Sequence, residues 1–121
     1  MVKGLFDTNI LIDYLNGIPQ AGEEFARYEY KAISAITWME VLVGAAEQEQ
    51  ADIRAWLRSF TLIGLDSTVA ERAVVLRRRW RVRLPDAIIW ATAQVHGLLL
   101  VTRNVRDFPP DEPGVRMPYS V

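Results

Sequence analysis

Two short runs of apolar residues, 2–6 and 98–101, restrict the architecture more than any other feature of the chain. A strand with one face in water alternates apolar and polar side chains, whereas a strand that is apolar almost throughout needs cover on both faces. The segments between these runs read as helices. Ile10, Leu11, Tyr14 and Leu15 recur at helical spacing until Asn16-Gly17 stops the pattern. A second helix is expected over 21–30, a brief strand over 32–34 and a helix over 38–46, and residues 48–60 continue helical with Ile53, Trp56, Leu57 and Phe60 on one face. Residues 61–65 read as a strand. Thr68-Val69-Ala70-Glu71 has the form of a capping box opening a helix striped by Val69, Ala73, Leu76 and Trp80, and Leu84-Pro85-Asp86 opens another that Gly97 ends. Apolar strands alternating with helices predict an α/β fold of three layers, α/β/α, with a central, mainly parallel sheet.

With 121 residues the chain is expected to form one domain, 1–121, and no repeat or low-complexity tract divides it. Residues 109–114, rich in proline, read as a loop. There is no cysteine, which removes disulfides, thiol nucleophiles and thiolate zinc sites. A single histidine, His96, argues against histidine-rich metal sites and a serine-type triad. Any metal must therefore be held by oxygen. No window approaches the ~20 apolar residues of a membrane span, and a cytoplasmic location is the expectation. The net charge of −1 is uninformative, but residues 1–60 carry five basic and nine acidic side chains while residues 61–121 carry nine and six. A polyanion senses that asymmetry.

In an open parallel sheet the chemistry sits beyond the carboxyl ends of the strands. Asp7 follows the first strand directly, and Asn104 and Asp107 follow the last apolar strand through Thr102-Arg103. Glu40 and Asp86 lie in the opening turns of two helices able to run back from the same edge. Each has a structural explanation of its own. Asp7 suits a helix N-cap, Thr37-Trp38-Met39-Glu40 has capping-box form, Asp86 gains from a helix dipole and Asp107 suits a turn. The combination points further. Carboxylates sharing one pocket repel unless a cation neutralises them, and hard oxygen ligands select Mg²⁺ or Mn²⁺. Hydrolysis of a phosphodiester by an activated water is the chemistry such a centre suits.

Asp7-Thr8-Asn9-Ile10-Leu11 after an N-terminal strand, Glu40 on the third helix, Leu84-Pro85-Asp86-Ala87-Ile88-Ile89-Trp90-Ala91-Thr92-Ala93 and Leu100-Val101-Thr102-Arg103-Asn104-Val105-Arg106-Asp107-Phe108 together resemble the PIN-domain ribonucleases, specifically the VapC toxins of toxin–antitoxin pairs. The resemblance covers nearly the whole chain. It implies a PIN-like fold and a metal-dependent endoribonuclease, with Asp7, Glu40 and Asp86 around Mg²⁺ or Mn²⁺, Asp7 and Asp86 as metal ligands. At the family's fourth acidic position this chain has Asn104, with Asp107 three residues on; either Asn104 supplies a neutral oxygen or Asp107 takes the role. Thr8 and Thr102 correspond to polar residues that support the acids. The resemblance also implies an RNA substrate, a homodimer, and silencing by a small VapB-like antitoxin through which alone DNA would be contacted. Tyr14, Phe25, Tyr28 and Trp38 are candidate antitoxin contacts.

Arg77, Arg78, Arg79, Arg81 and Arg83 place five guanidinium groups within seven positions. Such a run ordinarily makes a solvated helix face, but beside a nuclease pocket Arg77 and Arg81, together with Arg103 and Arg106, are the candidates for RNA phosphates. Trp38, Trp56, Trp80 and Trp90 fit buried helix stripes better than base-stacking platforms. The rival readings are a phosphoacceptor signalling domain, a dehalogenase-like phosphatase and a PIN-like RNA-binding or scaffold module with weak catalysis. The first lacks a neighbouring acidic pair and a suitably placed lysine, the second lacks Asp-x-Asp at residues 7–9, and Asn104 favours the third.

Overall fold

The protein is described by a computed structural model that covers residues 2–121. Five strands form one sheet in the order β3-β2-β1-β4-β5, with every neighbouring pair parallel. They are β1 (Lys3–Phe6), β2 (Tyr30–Ser34), β3 (Thr61–Ile63), β4 (Leu99–Val101) and β5 (Val115–Arg116). The helices are α1 (Thr8–Leu15), α2 (Pro19–Phe25), α3 (Ala35–Gly44), α4 (Gln50–Leu57), α5 (Ser67–Trp80) and α6 (Leu84–Val95). The expected three-layer α/β/α arrangement is what forms.

Alternation along each strand divides the interior in two. Leu5, Ala32 and Leu100 pack with α5 and α6 around Ala73, Leu76, Ile89, Trp90 and Phe108. Their chain neighbours Phe6, Ile33 and Val101 face the opposite side, with Ile10, Leu11, Phe25, Val41, Ile53, Leu57 and Phe60 from α1 to α4 and the segment after α4. Both faces of the sheet are thus dry, which is why its central strands carry no polar alternation. On the first side Trp90 meets Phe108 edge-on, with ring centroids 5.8 Å apart. On the second, Phe6 is boxed edge-on by Phe25 and Tyr28, each at 4.9 Å. Gly4 is required here: a Cβ at this position would stand 2.8 Å from two ring carbons of Tyr28.

The structure moves several expected boundaries. The second helix stops at Phe25, and Tyr30 is already in β2, paired in register with Lys3. The intervening turn is fixed by the Glu29 and Tyr30 N–H groups, which both donate to the Val2 carbonyl. α3 starts at Ala35 because Ser34, leaving β2, accepts from the Ile36 N–H; Thr37 is therefore inside the helix and does not cap it. α5 is likewise capped by Asp66, which accepts from Val69 N–H, so the Thr68 capping box does not form. Residues 48–60 divide into a 3₁₀ turn, α4 and a short exit in which Phe60 stays buried outside the helix. β5 was not anticipated.

The chain order, outward from β1 to β3 and then back to β4 beside β1, places a topological switch between β1 and β4. A crevice opens beyond the carboxyl ends of two strands at such a switch.

Candidate active site

β1 ends at Phe6 and the next residue, Asp7, points its N–H at the Val101 carbonyl, 2.9 Å away at the end of β4. Asp7 then turns the chain into α1 as its N-cap, Oδ1 accepting from Thr8 N–H at 2.8 Å. Its other oxygen accepts from the Thr102 hydroxyl at 2.7 Å and from Asn9 Nδ2 at 3.1 Å. Capping and site-building are therefore one arrangement. Asp7 is 4% exposed, and burial pushes its carboxyl up to about 6. The Thr102 hydroxyl and Thr8 N–H oppose that rise, and the charges of Asp86 and Glu40 add to it.

The other acids arrive from separate elements. Glu40, exposed on α3, accepts a 2.6 Å hydrogen bond at Oε1 from the Thr8 hydroxyl, which also shares a 3.0 Å hydrogen bond with Thr37. Asp86 is buried in the first turn of α6, where Pro85 occupies a position that needs no N–H donor. Burial raises the Asp86 carboxyl above its ordinary value; Arg83, at 3.2 Å from Oδ2, pulls it back and neighbouring Asp107 raises it further. Asn104 donates from Nδ2 to Asp107 at 2.9 Å, while its N–H donates to the Thr102 hydroxyl at 2.9 Å.

Asp7, Glu40, Asp86 and Asn104 line one pocket of about 370 Å³ together with Thr8, Asn9, Ile12, Asp13, Arg83 and Arg103. Asp107 is not part of the lining, but it accepts from Asn104 and is close enough to Asp86 to raise that carboxyl. A larger cavity of about 600 Å³, lined by Trp90, Leu98, Leu99 and Gly114 among others, lies at the opposite edge where β4 begins and holds none of these groups.

The expected basic contacts separate. Arg103 reaches the pocket, whereas Arg77, Arg81 and Arg106 are exposed outside its lining. Of the arginine run it is Arg83 that borders the pocket. The reading from sequence also passed over Asn9 and Asp13, although their spacing of four on α1 places both on the face toward Thr102 and Arg103. Trp90 is buried in the core as expected, and Trp80 packs at 5.8 Å from it. Phe25 and Tyr28 are also core, while Tyr14 remains exposed, its ring stacked at 5.0 Å on Trp56.

The donor set is all oxygen. Among the described residues no three acidic or histidine side chains close into a ready-made metal cage. Oxygen donors of this kind suit a hard divalent cation that keeps part of its water shell. The Asp7 and Asp86 carboxyls are raised mainly by burial and further by their acidic neighbours, so a positive charge in the pocket would favour their ionised forms. Among the described residues no helix is long and apolar enough to cross a membrane.

Residues 5–109 match the PIN domain family. The chain is 33% identical over 125 residues to Ribonuclease VapC10 of Mycobacterium tuberculosis, covering 97% of this chain and 93% of that protein. Among solved structures it resembles a toxin–antitoxin complex from Klebsiella pneumoniae, at 47% identity and a TM-score of 0.93, over 98% of this chain and 100% of that one. It also resembles DNA-bound VapBC from Salmonella typhimurium, at 28% identity and a TM-score of 0.80, over 96% of each chain. With its acids gathered at the β1/β4 edge and its length matched almost end to end, the chain belongs to the PIN-domain family, among the VapC ribonucleases.

Proposed function

We propose that this protein is an endoribonuclease toxin that hydrolyses RNA phosphodiester bonds with the help of Mg²⁺ or Mn²⁺ and is held silent by a VapB-like antitoxin. The observation that carries the reading is the convergence of Asp7, Glu40, Asp86 and Asn104, from four different parts of the chain, on one pocket. The kinship with a VapC ribonuclease and with a toxin–antitoxin complex supports both the reaction and the partner. The DNA-bound VapBC relative suggests that DNA is met through the antitoxin. A homodimer is part of this proposal.

Asp7 and Asp86 would hold the ion, and Glu40 and Asn104 offer further oxygens in the same pocket. An ion bound there would supply positive charge against the phosphodiester and lower the pKa of a bound water. Asp7 stays correctly aimed because Thr102 and the α1 N-terminus fix both its oxygens. Thr8 holds the Glu40 carboxylate in place, and a carboxylate lining the pocket suits the orientation of water. Arg83 and Arg103 flank the acids and offer guanidinium donors to phosphate oxygens. Asn104 is the fourth pocket group, and Asp107 orients its amide.

The test is cleavage of a labelled RNA by purified protein freed of antitoxin. Activity that appears with Mg²⁺ or Mn²⁺, vanishes in EDTA and is lost in Asp7→Asn and Asp86→Asn is expected. Equal cleavage in EDTA contradicts the proposal.

A further inference from the structure

Arg103 is fastened to α1 along its whole length. Its backbone N–H donates to Asn9 Oδ1 at 3.2 Å, and its Nε and Nη2 donate to the two oxygens of Asp13, the second at 2.9 Å. Asp13 is only 6% exposed. It takes a third hydrogen bond, at 2.8 Å, from the hydroxyl of Tyr119, whose ring also lies 6.0 Å from the Arg103 guanidinium. Three segments remote in sequence therefore meet here: α1, the turn after β4 and the C-terminal tail beyond β5.

A stability role alone explains this cluster poorly. Burying a carboxylate and a guanidinium costs desolvation that their attraction barely offsets, and a well-packed apolar group is often as good. Location supplies a reason. Asp13 and Arg103 both line the carboxylate pocket, and the Arg103 side chain retains 27% of its exposure. The side-on pairing with Asp13 occupies Nε and Nη2, so most of the guanidinium's five N–H donors stay available to an anion. A guanidinium held in one orientation loses little freedom when it meets phosphate.

We propose that Asp13 and Tyr119 are positioning residues that hold the Arg103 guanidinium at the rim of the pocket, where its remaining N–H groups engage an RNA backbone phosphate. The C-terminal tail is thereby part of the substrate-binding apparatus. This deepens the ribonuclease reading and rests on it. The opposite role for Asp13, a negative charge that merely cancels Arg103, makes a prediction of opposite sign: its removal would tighten RNA binding.

The experiment follows cleavage of a single-stranded RNA oligonucleotide with Mn²⁺ by the wild type, Asp13→Asn, Tyr119→Phe, Arg103→Ala and the Asp13→Asn/Arg103→Ala pair, with melting temperatures measured alongside. Asp13→Asn is expected to raise KM about tenfold, the scale of a misplaced binding group, with kcat within about twofold. Tyr119→Phe, which changes no charge and keeps the ring, is expected to raise KM about two- to threefold. In the Arg103→Ala background Asp13→Asn should add nothing, because it acts through that arginine. Arg103→Ala should also lower the salt dependence of log KM by roughly 0.7 for each phosphate that the arginine neutralises. A fall in KM for Asp13→Asn, or melting temperatures that drop in Asp13→Asn and Tyr119→Phe while KM stays unchanged, overturns the positioning role and leaves the ribonuclease reading standing. A wild type that cleaves no RNA overturns both.

Discussion

The Thr102 hydroxyl donates a 2.7 Å hydrogen bond to Asp7 Oδ2 across 95 positions of chain. It joins the exits of β1 and β4, the two strands between which the sheet reverses its order. Thr102 is wholly buried and holds Asp7 toward its charged form against the pull of burial.

Thr102→Val keeps the shape and removes that donor. In the metal-free protein the Asp7 carboxyl is expected to rise above about 6, so protons compete better with the ion, the acid limb of metal-supported cleavage moves to higher pH and activity at neutral pH falls. The same hydroxyl accepts from the Asn104 N–H and from Asn9 Nδ2, so three hydrogen bonds go and stability falls by about 2–4 kcal/mol. A pH–kcat/KM series on both proteins checks the shift, and an unmoved acid limb counts against it.

Asp7 makes the metal-free fold less stable as pH rises. Its folded pKa, about 6, exceeds the ordinary aspartate value of 3.8, so the folded state binds more protons between these values. Stability from this group is full below about pH 4 and is lost as pH climbs through 6. Asp7→Asn is therefore expected to stabilise the metal-free protein at pH 7–8 by roughly 1–3 kcal/mol and to flatten the dependence between pH 4 and 6. Thermal melts in EDTA across that range read it directly. A destabilised Asp7→Asn protein at pH 8 contradicts the assignment.

Glu24 has the opposite sign. It is buried on α2 and accepts from Arg116 of β5 at 2.7 and 3.0 Å and from the Tyr28 hydroxyl at 2.6 Å. Burial works against its charged form, but these donors together lower its pKa below the usual 4.5. Its contribution is present above that value and lost as pH falls through the depressed folded pKa. Glu24→Gln is expected to cost about 3 kcal/mol at pH 7, with the deficit shrinking toward pH 3 in urea melts.

Gly4→Ala tests the packing beneath the same network. The new methyl meets the Tyr28 ring, whose hydroxyl is pinned by Glu24, so the ring has little room to yield. A loss of about 1–3 kcal/mol is expected by denaturant melting.

Much of the site is legible in the chain because its acids stand at punctuation marks. Asp7 directly follows a strand, and Asp86 follows a proline that starts a helix. Glu40 was ambiguous while Thr37 could be taken for a helix cap; the Ser34 cap places both inside α3, which leaves Glu40 to face Thr8. Asp13 and Arg83 were missed because their roles depend on tertiary proximity: Asp13 meets Arg103 90 positions away, and Arg83 is set apart from the other arginines only where the chain turns into α6. β5 has two residues, too few for a period, and exists because β4 offers it a free edge.

The most direct test of the central claim is the binding of Mn²⁺ to the protein freed of antitoxin, read by titration calorimetry at pH 7.5 beside Asp7→Asn and Asp86→Asn, with RNA cleavage followed in the same samples. Binding and cleavage should be present together in the wild type and lost together in both variants. RNA cleavage that persists in either variant without bound Mn²⁺ would contradict a carboxylate-held ion as the basis of the reaction.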